Sequence, residues 1–220
     1  MTRSFHAAGL LALVLVFSGL AMLSGCSLVS PSDAQSGSAA QSAEIVMSGD
    51  YILNEDGTLR KPHVTPSVPT MSELAFQFNE TGAEQAARHF IDLINYSWAS
   101  GDTTALDEFS EERCTYCQSL SDSVTSLYET GGWLHGLKYT VSQVEGNYPV
   151  NTNSPETAQL TDCYVMSLLM HRSKADRYRP PTLEHVPSRT GRLLLIVHWD
   201  GSEWKMSEVE GEDIETAQSE

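Results

Sequence analysis

Cys114-Thr115-Tyr116-Cys117 is the tightest grouping of reactive side chains in this sequence. Two thiols at this spacing, near a predicted helix start, can act as a redox dithiol, because a helix N-terminus lowers the pKa of the first thiol. A thioredoxin-like site also needs a surrounding βαβ pattern, and none flanks this segment. The favoured reading is a structural disulfide closing a tight loop, for which chain entropy gives only about 2 kcal/mol. Pairing of either thiol with Cys163 stays open. Zinc is disfavoured, since a structural site wants four soft ligands and no second Cys or His pair has suitable spacing. No cofactor is expected, as the sequence has no Gly-rich phosphate loop, no Gly-x-Ser-x-Gly and no His-Glu-x-x-His.

The histidines and acids are scattered. His89 falls away from the apolar stripe of its predicted helix and is expected to be solvated. His171 and His198 sit near strand ends. His198 shares a face with Leu194 and Ile196, so it is a pocket base only if that face is concave. The exposed side of the sheet is the favoured place for it. Asp92 and Asp162 are candidate acids without an assignable carboxylate partner, and an acid–base pair is defined by geometry rather than by spacing. No catalytic residue is therefore assigned.

One charge feature stands against an acidic background. Arg172, Lys174, Arg177, Arg179, Arg189 and Arg192 fall within 21 residues, accompanied only by Asp176 and Glu184. The segment also holds Pro180, Pro181 and Pro187 and reads as a long loop joining two strands. Arg172, Lys174, Arg177 and Arg179 are the candidate contacts for an anionic partner, such as lipid head groups, a wall polymer or an acidic envelope protein. A solvated loop that balances acidic neighbours is the plainer alternative. The whole chain of 220 residues carries 13 basic and 29 acidic residues, a net charge of −16. Nucleic acid is excluded as a partner, because binding phosphates takes Lys and Arg in excess.

The N-terminus supplies a fourth thiol. Arg3, then an uncharged apolar run from Ala7 to Leu23, then Ser24-Gly25-Cys26, have the three parts of a secretory signal. The run is near the lower limit for spanning a bilayer. Leu23-Ser24-Gly25-Cys26 resembles the lipobox of bacterial lipoproteins, which implies that Cys26 carries lipid, palmitate among the acyl groups, and becomes the mature N-terminus. Several acyl chains anchor far better than one, at about 0.8 kcal/mol per buried CH₂. The expected location is the outer face of the cell membrane, where thiols tend to oxidise. Removing residues 1–25 takes away one basic and no acidic residue, leaving −17. It also leaves three cysteines, so one pair and a single Cys163 are expected.

These residues need elements to position them. Residues 1–25 read as the lipoprotein signal peptide and 26–48, rich in Ser, Ala and Gln, as a disordered tether. Residues 49–70, with Pro62, Pro66 and Pro69, read as an extended arm, either lying against the domain or free. The domain is expected over 71–210, and 211–220 is an acidic tail. Thr81 and Glu84 form a candidate capping box. Ala83, Ala87, Phe90, Ile91, Ile94 and Trp98 then share one helical face, which should end before Gly101. A short helix from Asp102 through Phe109 and a third over Glu111 to Tyr128 follow. The period then changes to two, with strands at Leu137–Ser142, Leu160–His171, Arg192–Trp199 and Trp204–Val209, the last two joined by Asp200-Gly201-Ser202-Glu203. Helices first and strands after point to α+β, with the helices packed on one face of a curved, mostly antiparallel sheet.

The stretch TGAEQAARHFIDLINYSWASGDTTALDEFSEERCTYCQSL, with the lipobox, the Pro-containing arm and the Cys-x-x-Cys, resembles a family of uncharacterised actinobacterial lipoproteins over roughly residues 50–210. The order of elements, closing on VHWDGSEWKMSEVE, is similar to the nuclear-transport-factor-like (SnoaL-like) cone. That resemblance implies a concave sheet and first helices enclosing a pocket. It does not fix function, because such cones include isomerases, dehydratases and inert binding modules. The expected function is a cell-envelope binding or protein-interaction module; the alternative is an isomerase or dehydratase using the pocket. Trp98, Trp133, Tyr139, Tyr164, Met166 and Met170 are available to fill that pocket, which favours the module.

Overall fold

The structure is a computed structural model that describes residues 45–155 and 157–213. The signal peptide, Cys26, nearly all of the tether and the end of the acidic tail lie outside the described residues. Among the described residues no helix is long and apolar enough to cross a membrane.

Three helices precede most of the strands. Helix α1 spans Glu80–Ser100, α2 Thr104–Phe109 and α3 Thr115–Glu129. The sequence placed the α1 cap at Thr81. Asn79 takes that role instead, because its extended backbone lets Oδ1 accept from the Gly82 N–H at 2.9 Å. Glu84 is then free to pair with Arg88 one turn on, at 2.8 Å. The far end is as expected: Gly101 adopts φ +87° and its N–H returns to the Ser97 carbonyl. Helix α3 starts later than the predicted Glu111, because Cys114 caps it, its sulfur accepting from the Cys117 N–H at 3.3 Å.

The main sheet is antiparallel, in the order β4-β5-β8-β9, from Tyr139–Pro149, Cys163–Arg172, Arg189–Trp199 and Trp204–Asp213. The fold is therefore mixed α+β with mostly antiparallel strands. Strand β9 continues through Asp213, beyond the predicted start of the tail at Gly211. One face of this sheet carries Met166, Leu168, Leu195, Val197 and Met206, which share a buried core with Ala83, Phe90, Ile94, Leu106 and Cys117 of the helices. Burial of this apolar surface is the main stabilising term.

The stretch read as one long loop is structured. Between β5 and β8 lie β6, Ala175–Arg179, and β7, Thr182–Val186, a hairpin that pairs with β3, Trp133–His135, in a second antiparallel sheet. The prolines sit in the turn and beyond the strands, where no ladder N–H is needed. Tyr178 and Trp133 are buried in this sheet, and Tyr51 completes a small second core.

Tyr51 belongs to the arm. Strands β1 and β2, Met47–Ser48 and Tyr51–Ile52, form a two-residue ladder, so the chain is already paired at Met47, inside the segment read as tether. The Tyr51 ring lies 4.7 Å from that of Trp133 and its hydroxyl donates to Asp176 Oδ2 at 2.5 Å. Trp133 Nε1 donates to the Leu59 carbonyl, the Leu59 N–H donates to the Tyr178 hydroxyl, and Lys61 Nζ lies 4.3 Å from the centre of the Tyr128 ring.

The Tyr51 hydrogen bond, followed by that to His185, holds the Asp176 carboxyl below the usual range against a smaller opposing effect of burial. A depressed carboxylate pKa stabilises fully above the unfolded value and stops doing so as pH falls through the folded one. Asp176→Ala at neutral pH is therefore expected to reproduce what acid does to wild type. Amide exchange at Leu53 and Arg60, both hydrogen-bonded within the arm, should rise roughly fivefold, the equivalent of about 1 kcal/mol for a solvent-screened charged hydrogen bond. Unchanged exchange would show that this bond does not hold the arm.

Candidate functional site

The four basic residues singled out from sequence do not converge. Arg177 is committed to Glu184 across the β6–β7 hairpin, Nη2 to Oε2 at 2.6 Å. Arg179 is exposed at the end of β6. Lys174 lines a separate hollow beside His135, Asp176 and His185. Arg172, at the end of β5, is brought instead to Arg189, its direct cross-strand partner on β8.

The register explains what surrounds this arginine pair. Tyr139, Arg172 and Arg189 stand opposite one another on β4, β5 and β8; Met170 and Gly191 form the next row. Leu193 and Gly211 face each other across β8 and β9. Alternation along each strand puts all of them on the face that carries Met166, Leu168 and Leu195. Here the core face runs on past its last buried residues and opens into a cleft of about 200 Å³, with Tyr116 of α3 also lining it. That is less than the roughly 300–1,000 Å³ of drug-sized ligand sites, so it is room for a small group only.

The electrostatics suit an anion. Like charges directly opposite on neighbouring strands are unfavourable unless matched. One Arg172 Nη donates to the Pro187 carbonyl at 2.9 Å, while its Nε is buried without a hydrogen-bond partner among the described residues. Burial, with a smaller effect of Tyr139, pushes the Tyr116 hydroxyl up to about 12, so it stays a neutral donor. Arg192, at the rim, is held by Glu145, Nε to Oε2 at 2.6 Å.

The cysteines divide into a bridge and a single thiol. Cys114 and Cys117 are joined in a disulfide, both buried, and the bridge encloses Tyr116 in its loop. Cys163 is buried and unpaired, and burial pushes its thiol up to about 11. At neutral pH that thiol is protonated and a poor nucleophile.

The other sequence candidates lie elsewhere. His89 is half-buried rather than solvated: its Nδ1 is buried without a partner among the described residues, its ring meets Phe109 edge-on at 5.2 Å, and burial lowers its pKa. The short α2 folds back over this face of α1, which the helical period alone does not reveal. His171 and Asp92 are exposed, and Asp162 sits in a turn at φ +55°. His198 Nδ1 lies 2.5 Å from Glu111 Oε1. Burial pushes the Glu111 carboxyl up, but hydrogen bonds from His198 and Arg113 outweigh it and hold the group low. Leu195 and Val197 are buried and Leu194 is 42% exposed, so the face shared by Leu194 and His198 is the outer one. The Glu111–His198 pair is thus at the opposite end of β8 from the cleft and on its other face. Among the described residues no group of three or more His, Cys, Asp and Glu could hold a metal ion.

Sequence reasoning missed Tyr116, Gly191 and Gly211 as a site, and counted Arg189 without choosing it. The period-two spacing of Arg189, Gly191 and Leu193 was the available signal; it needed β8 to begin at Arg189 rather than at Arg192.

Fold and cleft together define a mixed α+β domain with an arginine-bearing cleft on the core face of its main sheet. The chain belongs to a family of unknown function, DUF6318, whose model matches residues 54–210. No curated protein matches the chain. Among solved structures it is similar to the intermembrane space region of the chloroplast protein ARC6, at 14% identity over 62% of this chain and 98% of that one, with a TM-score of 0.46. A likeness at that score bears on neither the fold nor the function.

Proposed function

We propose that this protein is a lipid-anchored binding or protein-interaction module of the cell envelope. It is held on the outer face of the membrane through acylated Cys26 and engages an anionic partner. The observation that carries this reading is the cleft, where Arg172 and Arg189 face each other beside Tyr116 and Tyr139. The apolar run ending in Leu-Ser-Gly-Cys supports the anchor. The helices and sheet sharing one core support a cone-like architecture, and the resemblance at residues 50–210 supports an actinobacterial source. Trp98, Tyr139, Tyr164, Met166 and Met170 all pack in or against that core, leaving the cleft at its margin; Trp133 belongs to the second core. The isomerase or dehydratase alternative is weakened by the placement of the Glu111–His198 pair away from the cleft.

Two measurements test the reading. Wild type should fractionate with membranes, and Cys26→Ser should release it. The full chain with Cys26→Ser should be retained on isolated cell walls and lose at least tenfold in retention when Arg172→Gln and Arg189→Gln are combined. Equal fractionation of the first pair sinks the anchor. Equal retention of the second sinks the cleft as the contact site.

A further inference from the structure

The second sheet carries a row of ionisable side chains. His135 of β3 stands opposite Asp176 of β6, and Asp176 stands opposite His185 of β7. Direct cross-strand neighbours share a face, so an aspartate lies between two histidines. The Asp176 carboxylate is already matched. Its Oδ2 accepts from the Tyr51 hydroxyl at 2.5 Å, and its Oδ1 lies 2.6 Å from His185 Nδ1. Nε2 is then the His185 nitrogen left to meet a ligand, on a side chain that is 80% exposed. The row borders two hollows, of about 720 and about 560 Å³, that share Asp50 and His135. Each falls within the roughly 300–1,000 Å³ of ligand sites. Together they form a groove that starts at the arm and ends at the β6–β7 hairpin.

Arg60, Lys61 and His63 line the arm end of this groove, His135 its middle, and Lys174 and His185 its far end. All six are exposed. Asp50 and Asp176 are the carboxylates among the lining residues. With neutral histidines the fixed cations exceed the carboxylates by one, and three charged histidines raise the excess to four. In a chain of net charge −16 this is a local exception. Histidine as a residue type gains its charge between about pH 8 and about pH 5. The cations are spread out rather than convergent. Lys61 sits at one end, donating to the Ser100 carbonyl at 3.2 Å, and Lys174 at the other. A single small anion would meet one of them, and a flat bilayer would not enter a concave groove. A chain of repeated anionic groups would meet them in turn, and linked contacts reinforce one another through effective concentration.

We infer that the groove between the arm and the β6–β7 hairpin binds an extended anionic polymer, and binds it more tightly in acid as His63, His135 and His185 gain charge. This rests on the reading of the protein as an envelope module with an anionic partner and names the class of that partner. Pro187 lines the far end of the groove, and its carbonyl accepts from Arg172 at 2.9 Å. A polymer leaving the groove there passes beside a residue of the arginine-bearing cleft. The repeated charge has two sources, phosphate or carboxylate, which share this chemistry.

Calorimetric titration of the full chain with Cys26→Ser tests it, using polyphosphate and polygalacturonate, with inorganic phosphate and galacturonate as their monomers. A polymer should bind at least tenfold tighter than its monomer, and at least tenfold tighter at about pH 5.5 than at about pH 7.5. Combining His135→Gln with His185→Gln should remove most of the gain in acid. His171→Gln, at an exposed histidine outside the groove, should keep it. Lys174→Gln should weaken binding at least threefold at both pH values. All these positions are exposed, and an unchanged melting temperature separates lost binding from lost fold. Tighter binding of polyphosphate assigns a phosphate polymer, and tighter binding of polygalacturonate a carboxylate one; equal binding of both assigns recognition to charge spacing alone. Equal affinity at the two pH values overturns the inference. So does a gain in acid that survives in the double histidine variant, or a monomer that binds as tightly as its polymer. Retention on cell walls by a chain that binds neither polymer overturns this inference alone and leaves the envelope module standing.

Discussion

Trp204→Ala lowers the unfolding free energy by about 3–5 kcal/mol, the usual cost of emptying a large buried aromatic site. Trp204 opens β9 and is fully buried. Its ring lies 5.2 Å from that of Trp199 and 5.7 Å from those of Phe78 and Tyr164, and Nε1 donates to the Gln77 carbonyl at 3.3 Å. The side chain thus joins the segment leading into α1 to three strands of the main sheet. Alanine removes the ring stacking and leaves the Gln77 carbonyl without this donor. Domains of this size are stable by only about 5–15 kcal/mol, so the loss is a large part of the total. Urea unfolding measures it. Phe78→Ala is the control: Phe78 touches the same cluster but is 48% exposed, and its loss should be well under half as large. A Trp204→Ala loss below about 1 kcal/mol would mean that the cluster does not hold the two parts together.

The second large effect is at a backbone position. Gly101→Ala is expected to cost about 1–2 kcal/mol for forcing a residue with a Cβ to φ +87°. A further loss of about 1–3 kcal/mol should come from overpacking, because the new methyl would sit 2.5 Å from the Tyr128 ring. That ring cannot simply swing away. Its hydroxyl donates to the Trp98 carbonyl at 2.6 Å, and Lys61 of the arm lies over its face. The substitution therefore disturbs the α1–α2 turn, α3 and the arm together. Thermal unfolding should show a clear loss of stability, and exchange at the arm amides should rise with it. Wild-type stability in Gly101→Ala would show that this turn has room that the glycine does not use.

Much of the helical half was legible because its signals are local. The apolar spacing from Ala83 to Trp98 and the glycine at 101 mark α1, and both follow from chain geometry over a few residues. The same holds for the strand alternation at Leu194–Trp199 and for the hairpin loop at Asp200–Glu203. The long loop between Arg172 and Arg192 was misread for the opposite reason. Strands β6 and β7 are short and hold few apolar residues, and they are stabilised by Trp133, Tyr178 and Tyr51, which come from segments far apart in the chain.

The candidate site shows where the two kinds of information part. Sequence alone determined an α+β order of elements, a lipobox-like thiol distinct from the others, a short Cys-x-x-Cys loop and a concentration of arginines between two strands. Each of these depends on residue type and on spacing within a few turns or strand lengths. Tertiary structure decided which arginines meet. Arg172 and Arg189 are 17 positions apart, and only the β5–β8 register sets them side by side, while Arg177 is drawn into a salt bridge with Glu184. It also decided that His198 faces outward and His89 inward, because which face of a strand or helix is buried depends on what packs against it.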